Sequence, residues 1–248
     1  MADTSDHSNH RGRYGIDEPR WPLLNLGAGA ACLAGAVLVR RRAGWAVPAA
    51  LGGIAFLGTA ASYLYTSTTG KFAVWRDLLR DLDLRGNETV LDMGCGRGAV
   101  LLMAARLLPD GRAIGIDLWR TAEQSGNSLE QTRRNAELEG VADRVELHTG
   151  DMRAMPLSDA SVDVVLSSIA IHNIAEDDGR RRALDEAVRV LRPGGRLTIA
   201  DLRYVVDGYC RHLRASGMED VRARDLGWRF WYGGPWVAAG AITARKRR

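Results

Sequence analysis

Lysine is almost missing from this chain: Lys71 and Lys246 are the only two among 34 basic side chains, and the rest are arginine. The formal net charge is +4. That mild excess is scattered, apart from short clusters at 40–42, 180–182 and 245–248, and does not by itself make a nucleic-acid-binding chain. Cysteine is scarce as well. Cys32, Cys95 and Cys210 have no metal or redox spacing, and their odd number and scatter suggest reduced thiols in a cytosol-facing protein. Charge itself is missing from two stretches, 21–39 and 43–69, separated by Arg40, Arg41 and Arg42. With 248 residues there is room for one ordinary domain and an appendage, enough to bury a core without staples.

The two uncharged runs are close to the ~20 residues that span a bilayer, so they read as a helical hairpin in the membrane. Gly27, Ala31 and Gly35 recur every four residues, which permits close helix–helix approach. Trp21, Trp45, Tyr63 and Tyr65 fall near the run ends, where interfacial aromatics collect. A secretory signal is a poorer reading, because three arginines follow the first run where a cleavage site would need small residues. A pair of soluble core helices is the other rival. The near-side flanks carry Arg11, Arg13, Arg20, Lys71, Arg76 and Arg80 against the arginine triplet, a count that favours the cytoplasm for the chain beyond the hairpin. A hairpin dipping into one leaflet stays open. Before it, residues 1–20 are polar, without apolar period, and read as a disordered leader. After it, Phe72, Trp75, Leu78, Leu79 and Leu82 keep helical spacing, as a helix packed on a sheet or as a lid over a pocket.

The rest is arranged around 88–100, ETVLDMGCGRGAV. Residues 89–93 are a short apolar strand. Gly94, Gly96 and Gly98 then alternate, and the text turns helical at Ala99. Strand, glycine turn and helix open a nucleotide-binding α/β unit. Gly94, Gly96 and Ala99 also satisfy the loose dinucleotide fingerprint, which would make the chain a dehydrogenase. Asp92, at the strand's carboxyl end, suits a cation instead of a pyrophosphate. Asp117 ends a second strand at 112–117 and is placed to accept ribose hydroxyls. Leu118, Trp119 and Arg120 follow, then a polar loop in which Gln124 and Asn127 could face the pocket. Ser128 could cap the next helix and Gly140 stop it. A third strand ends at Asp151 and Met152, suited to an adenine amine and ring. A fourth strand, 161–167, runs into Ser168 and then His172 and Asn173. A helix at 177–191, a fifth strand at 196–201, a helix at 204–216 and two last strands follow. A tight Gly233-Gly234-Pro235 turn predicts that those two are antiparallel.

VLDMGCGRG, the GID at 115–117, the GDM at 150–152, VDVVLSS at 162–168 and LRPGG at 191–195 together resemble class I S-adenosylmethionine-dependent methyltransferases. The nearest likeness is to the ubiquinone and menaquinone methyltransferase-like subfamily. The resemblance implies a Rossmann-like α/β fold, a seven-stranded mostly parallel sheet with an antiparallel last strand, here joined to an N-terminal two-helix transmembrane hairpin. It implies that Asp92, Gly94 and Gly96 hold the methionine end of S-adenosylmethionine, Asp117 the ribose, and Asp151 with Met152 the adenine. Leu118 and Ser168 are the further expected cofactor contacts. His172 is the candidate general base, since its ordinary pKa lies near neutrality. A His that only fixes its loop is the plainer alternative. The expected organisation is a leader (1–20), hairpin (21–69), linker or lid helix (70–87) and methyltransferase domain (88–248). The expected function is methyl transfer at the membrane to a hydrophobic or lipid-like small molecule. A protein or RNA methyltransferase and a non-catalytic nucleoside-binding module are the alternatives. No metal is expected. No Asn-Pro-Pro-Tyr-type tetrapeptide follows the fourth strand, and nucleic acid is not the expected partner.

Overall fold

A computed structural model describes residues 10–40 and 43–248. Two antiparallel helices, α1 (Arg20–Leu38) and α2 (Ala43–Tyr65), form a hairpin. Their lengths come to about 28 and 34 Å at the helical rise per residue. Close contact is made at other glycines than the expected Gly27 and Gly35, which have open space beside them: a Cβ at Gly29 or Gly53 would strike Leu57 or Leu33 across the pair. The outward faces are apolar and exposed, Leu23, Leu24, Leu51 and Ile54 each by more than 60%. A soluble core pair would bury those side chains. Both helices are long and apolar enough to cross a membrane, with 17% of each apolar window buried.

The hairpin leads into the domain without a break. A π-helical turn, Thr66–Gly70, joins α2 to α3 (Lys71–Asp81). Phe72, Val74, Trp75, Leu78 and Leu79 of α3 are buried in the core, so this segment is a packed helix.

The sheet consists of β1 (Thr89–Met93), β2 (Arg112–Asp117), β3 (Val145–Thr149), β4 (Val162–Ser168), β5 (Leu191–Leu202), β6 (Met218–Asp225) and β7 (Ala239–Lys246). Their order is β3-β2-β1-β4-β5-β7-β6, with β1 to β5 parallel and β7 antiparallel to both its neighbours. Helix α4 (Ala99–Ala105) and α5 (Leu129–Leu138) join α3 on one face; α6 (Asp177–Val190) and α7 (Arg203–Ala215) cover the other. β1 is buried along its whole length and β4 nearly so, as strands covered on both faces require. β6 is an exposed edge with a register shift and alternating charges, which discourages pairing with another chain. Ser128 caps α5 by accepting from the Gln131 amide, and Gly140 follows with φ +70°.

Three expectations need correction. β5 begins at Leu191, so Arg192 to Gly195 belong to an irregular strand start. The last two strands are antiparallel, but no tight turn joins them. Residues 226–238 make a long connection that docks on the hairpin, where the Trp231 carbonyl accepts from Ser62 Oγ (3.2 Å) and Thr66 Oγ1 (2.7 Å). A side chain at Gly70 would overlap the Arg229 carbonyl, so backbone meets backbone there. The leader is not structureless from residue 10 onward. Tyr14 is buried, and the Gly12 and Arg13 amides donate to Glu139, just past α5, and to Asn135 of α5. Residues 1–9 lie outside the described residues.

Candidate active site

The strand order reverses at β1 and β4, and a crevice opens beyond their carboxyl ends. Register brings the strand tips together. Asp92 pairs with Leu166, two residues before Ser168, and Asp117 pairs with Thr149, two residues before Asp151. A cavity of about 400 Å³ results. Asp92, Gly94, Gly96, Asp117, Leu118, Asp151, Met152, Ser168 and His172 all line it, as do Gln124 and Asn127. Seven carboxyl groups face three basic side chains around its wall, a balance that favours a cation and opposes a pyrophosphate.

Asp92 is 1% exposed and its Oδ1 has no hydrogen-bond partner among the described residues. Burial pushes its pKa up to about 8, against a backbone hydrogen bond from Leu101, with the charge of Asp117 adding to the rise. Asp117 is fixed by three donors: Gly96 N (2.8 Å) to Oδ2, and Trp119 N (2.6 Å) and Asn127 Nδ2 (3.2 Å) to Oδ1. It therefore ties the glycine turn to the following loop. Trp119 adopts φ +58° there and donates its ring N–H to Thr149 Oγ1.

Asp151 is engaged differently from the expectation of a free acceptor. Arg153 closes on it through Nε and Nη2, and its own amide also donates to Oδ1. Those hydrogen bonds hold the Asp151 carboxyl below its ordinary range. Met152 lies over Gly94 beside Ala170, where a Cβ would overlap. Ser168 Oγ accepts from the buried Trp75 ring N–H at 2.8 Å. Arg97 turns away from the cleft to the Ser125 carbonyl, 2.7 Å away.

His172 sits on a short 3-10 turn after β4. Its Nδ1 lies 2.6 Å from Asp201 Oδ1 and its backbone amide donates to Asp201 Oδ2. Burial disfavours the charged ring, but the Asp201 hydrogen bond and charge outweigh it, so the pKa lies above the ordinary 6.5. Asp201, 0% exposed at the end of β5, escaped notice in the sequence although it ends a strand just as Asp92 and Asp117 do. Other lining residues were missed too, among them Asp17 and Glu18 from the leader, Tyr63 from α2 and Tyr232 from the 226–238 connection. No local pattern marks them. Among the described residues no cluster of His, Cys, Asp or Glu is placed to hold a metal ion.

This sheet order, with the cleft at its switch point, defines an open α/β domain whose ligand site lies beyond the strand ends. Residues 90–195 match the family model of the methyltransferase domain. The chain is similar to the arsenite methyltransferase of Halobacterium salinarum, 39% identical over 46% of this chain and 27% of that one. It is also similar to the ubiquinone/menaquinone biosynthesis C-methyltransferase of Roseobacter denitrificans, 32% identical over 54% of this chain and 50% of that one. The chain spans less than two thirds of the length of these curated relatives. In fold it resembles a geranyl diphosphate methyltransferase solved with S-adenosylmethionine, with a TM-score of 0.56, 19% identity, and coverage of 71% of this chain and 85% of that one.

The residues present fit that cofactor. The buried oxygens of Asp92 and Asn127 that lack partners, and the acid-rich wall, suit a ligand carrying positive charge and polar nucleoside edges. The volume lies within the range of small-molecule sites.

Proposed function

We propose that this protein is a membrane-anchored methyltransferase acting on a hydrophobic or lipid-like small molecule, with its catalytic domain on the cytoplasmic side. One observation carries the reading: the cavity that holds Asp92, Asp117 and Asp151 is also lined by Glu18 and Tyr63, which flank the two ends of the apolar hairpin. The site thus opens where the hairpin meets the domain. An acceptor that partitions into a bilayer would be concentrated at that place. A relative named for ubiquinone and menaquinone biosynthesis supports a small-molecule acceptor. The thiols do not suit the arsenite for which the Halobacterium salinarum relative is named. Cys95 and Cys210 belong to cores on opposite faces of the sheet and Cys32 to the hairpin, so no shared thiolate site forms.

S-adenosylmethionine supplies an activated methyl group on a sulfonium. The chain's own residues bind and align. Asp92 and the turn at Gly94 and Gly96 would take the methionine end, Asp117 the ribose, and Met152 with Asp151 the adenine, flanked by Leu118 and Ser168. Alignment accounts for most of what a protein contributes to such a transfer. Asp201 accepts from Nδ1–H of His172, which leaves Nε2 as the nitrogen able to take an acceptor's proton. Incubating the protein with methyl-labelled cofactor and fractionated extract tests the reading. Label should enter the lipid-soluble small-molecule fraction; label confined to protein or RNA would overturn it.

A further inference from the structure

We propose that residues 12–18 form a strap over the cofactor compartment and that Asp17 is its latch, released whenever cofactor exchanges for product. The proposal rests on the cofactor site above and not on the identity of the acceptor.

Asp17 joins four segments that are remote in sequence. Its carboxylate accepts from Lys71 Nζ (3.0 and 3.2 Å), from Gln124 Nε2 (3.1 Å) and from the Tyr232 hydroxyl (3.0 Å). Gln124 passes the connection on: its Oε1 accepts from the Arg97 amide at 2.8 Å, inside the glycine turn. The same oxygen lies 2.5 Å from where a Cβ on Gly96 would sit. Asp17, Glu18 and Gln124 all line the cavity, so strap and loop together form its roof.

The roof is held by polar contacts. Asp17 bridges to Gln124 in antiparallel fashion. Beside it the Ile16 amide donates to Ser125 Oγ (2.9 Å), the Ser125 amide to the Ile16 carbonyl (3.1 Å) and the Glu18 amide to the Glu123 carbonyl (3.0 Å). Of residues 12–18 only Tyr14 is buried. A segment with one buried apolar anchor and hydrogen bonds near solvent opens far more readily than the sheet beneath it. Lys71 is buried beside Asp17, so the latch is a charge pair that closes only when strap, α3 and both loops are in place.

Removing Asp17 alone would leave Lys71 buried and unpaired, which can prevent folding. The double variant Asp17→Asn/Lys71→Gln removes both charges. In the full chain in detergent micelles, stopped-flow fluorescence should show S-adenosylhomocysteine associating and dissociating about tenfold faster than in the parent, since a few hydrogen bonds hold the roof. Thermal unfolding separates this from general loosening, because its midpoint should move little. The opposite manipulation is Ile16→Cys/Ser125→Cys, at positions facing each other beside the Asp17–Gln124 bridge. Oxidised, it should exchange the ligand about tenfold or more slowly, and reduction should restore the parent rate. Exchange at parent rates in both variants overturns the latch alone. No binding of S-adenosylhomocysteine by the parent chain overturns the cofactor site and the latch together.

Discussion

A carboxyl group at Asp92 that is fully enclosed, with one oxygen lacking a partner, is expensive to keep charged. Its pKa of about 8 means it is about nine-tenths protonated at pH 7. A ligand ammonium placed against it favours the carboxylate, so binding S-adenosylmethionine should release close to one proton. Calorimetry at pH 7 in buffers of different ionisation enthalpy measures that proton, and Asp92→Asn should abolish it along with most of the affinity. The same group bears on stability. Its folded pKa exceeds the unfolded value near 4, so its contribution is intact below pH 4 and is lost as pH rises toward 8. The ligand-free Asp92→Asn protein should therefore gain in melting temperature over the parent as pH goes from 4 to 8.

His172 shows the reverse balance, because here a partner outweighs burial. A base must be neutral to accept a proton, so the acid limb of kcat/KM should lie above pH 6.5. Asp201→Asn should move that limb to lower pH and cut kcat by about 10²-fold or more, the size of a general-base contribution. A limb that stays in place would leave His172 as a loop-fixing residue.

At the level of elements, periodicity exposed whatever is dictated locally. β1, the glycine turn and α4 follow from an apolar strand, three alternating glycines and an Ala/Leu helix, and all the expected cofactor-site residues meet in one cavity. The sequence was opaque where conformation is set by distant partners. Residues 10–18 are too polar to announce order, yet their amides find Asn135 on α5, Glu139 just past it and Ser125 on the polar loop. The connection 226–238 contains Gly233-Gly234-Pro235, a plausible hairpin turn in isolation. Contacts to Ser62, Thr66 and Gly70 shape it instead, over 150 residues earlier in the chain. Asp201 was within reach, since carboxyl ends of parallel strands collect functional groups.

At the scale of the whole molecule, α2, the π-helical turn and α3 make one continuous rod from hairpin to domain core. Anchor and site cannot then move independently. If the hairpin spans the bilayer, both its ends and the cavity lie on one side and the segment around residue 40 on the other. The basic flanks near the domain, six against three, favour the cytoplasm for that side under the proposed anchoring. In a Cys32→Ser background, Gly44→Cys and Ser158→Cys each add a thiol at an exposed position, one in the first turn of α2 and one on the domain. Cys95 and Cys210 are buried and should stay silent. A membrane-impermeant maleimide applied to intact cells should label position 44 but reach position 158 only after permeabilisation. Labelling of neither without permeabilisation would indicate a hairpin dipping into one leaflet, and labelling of 158 alone an inverted one. Charge counts give the sign of the preference and not its size, so this experiment bears on the membrane reading independently of any activity.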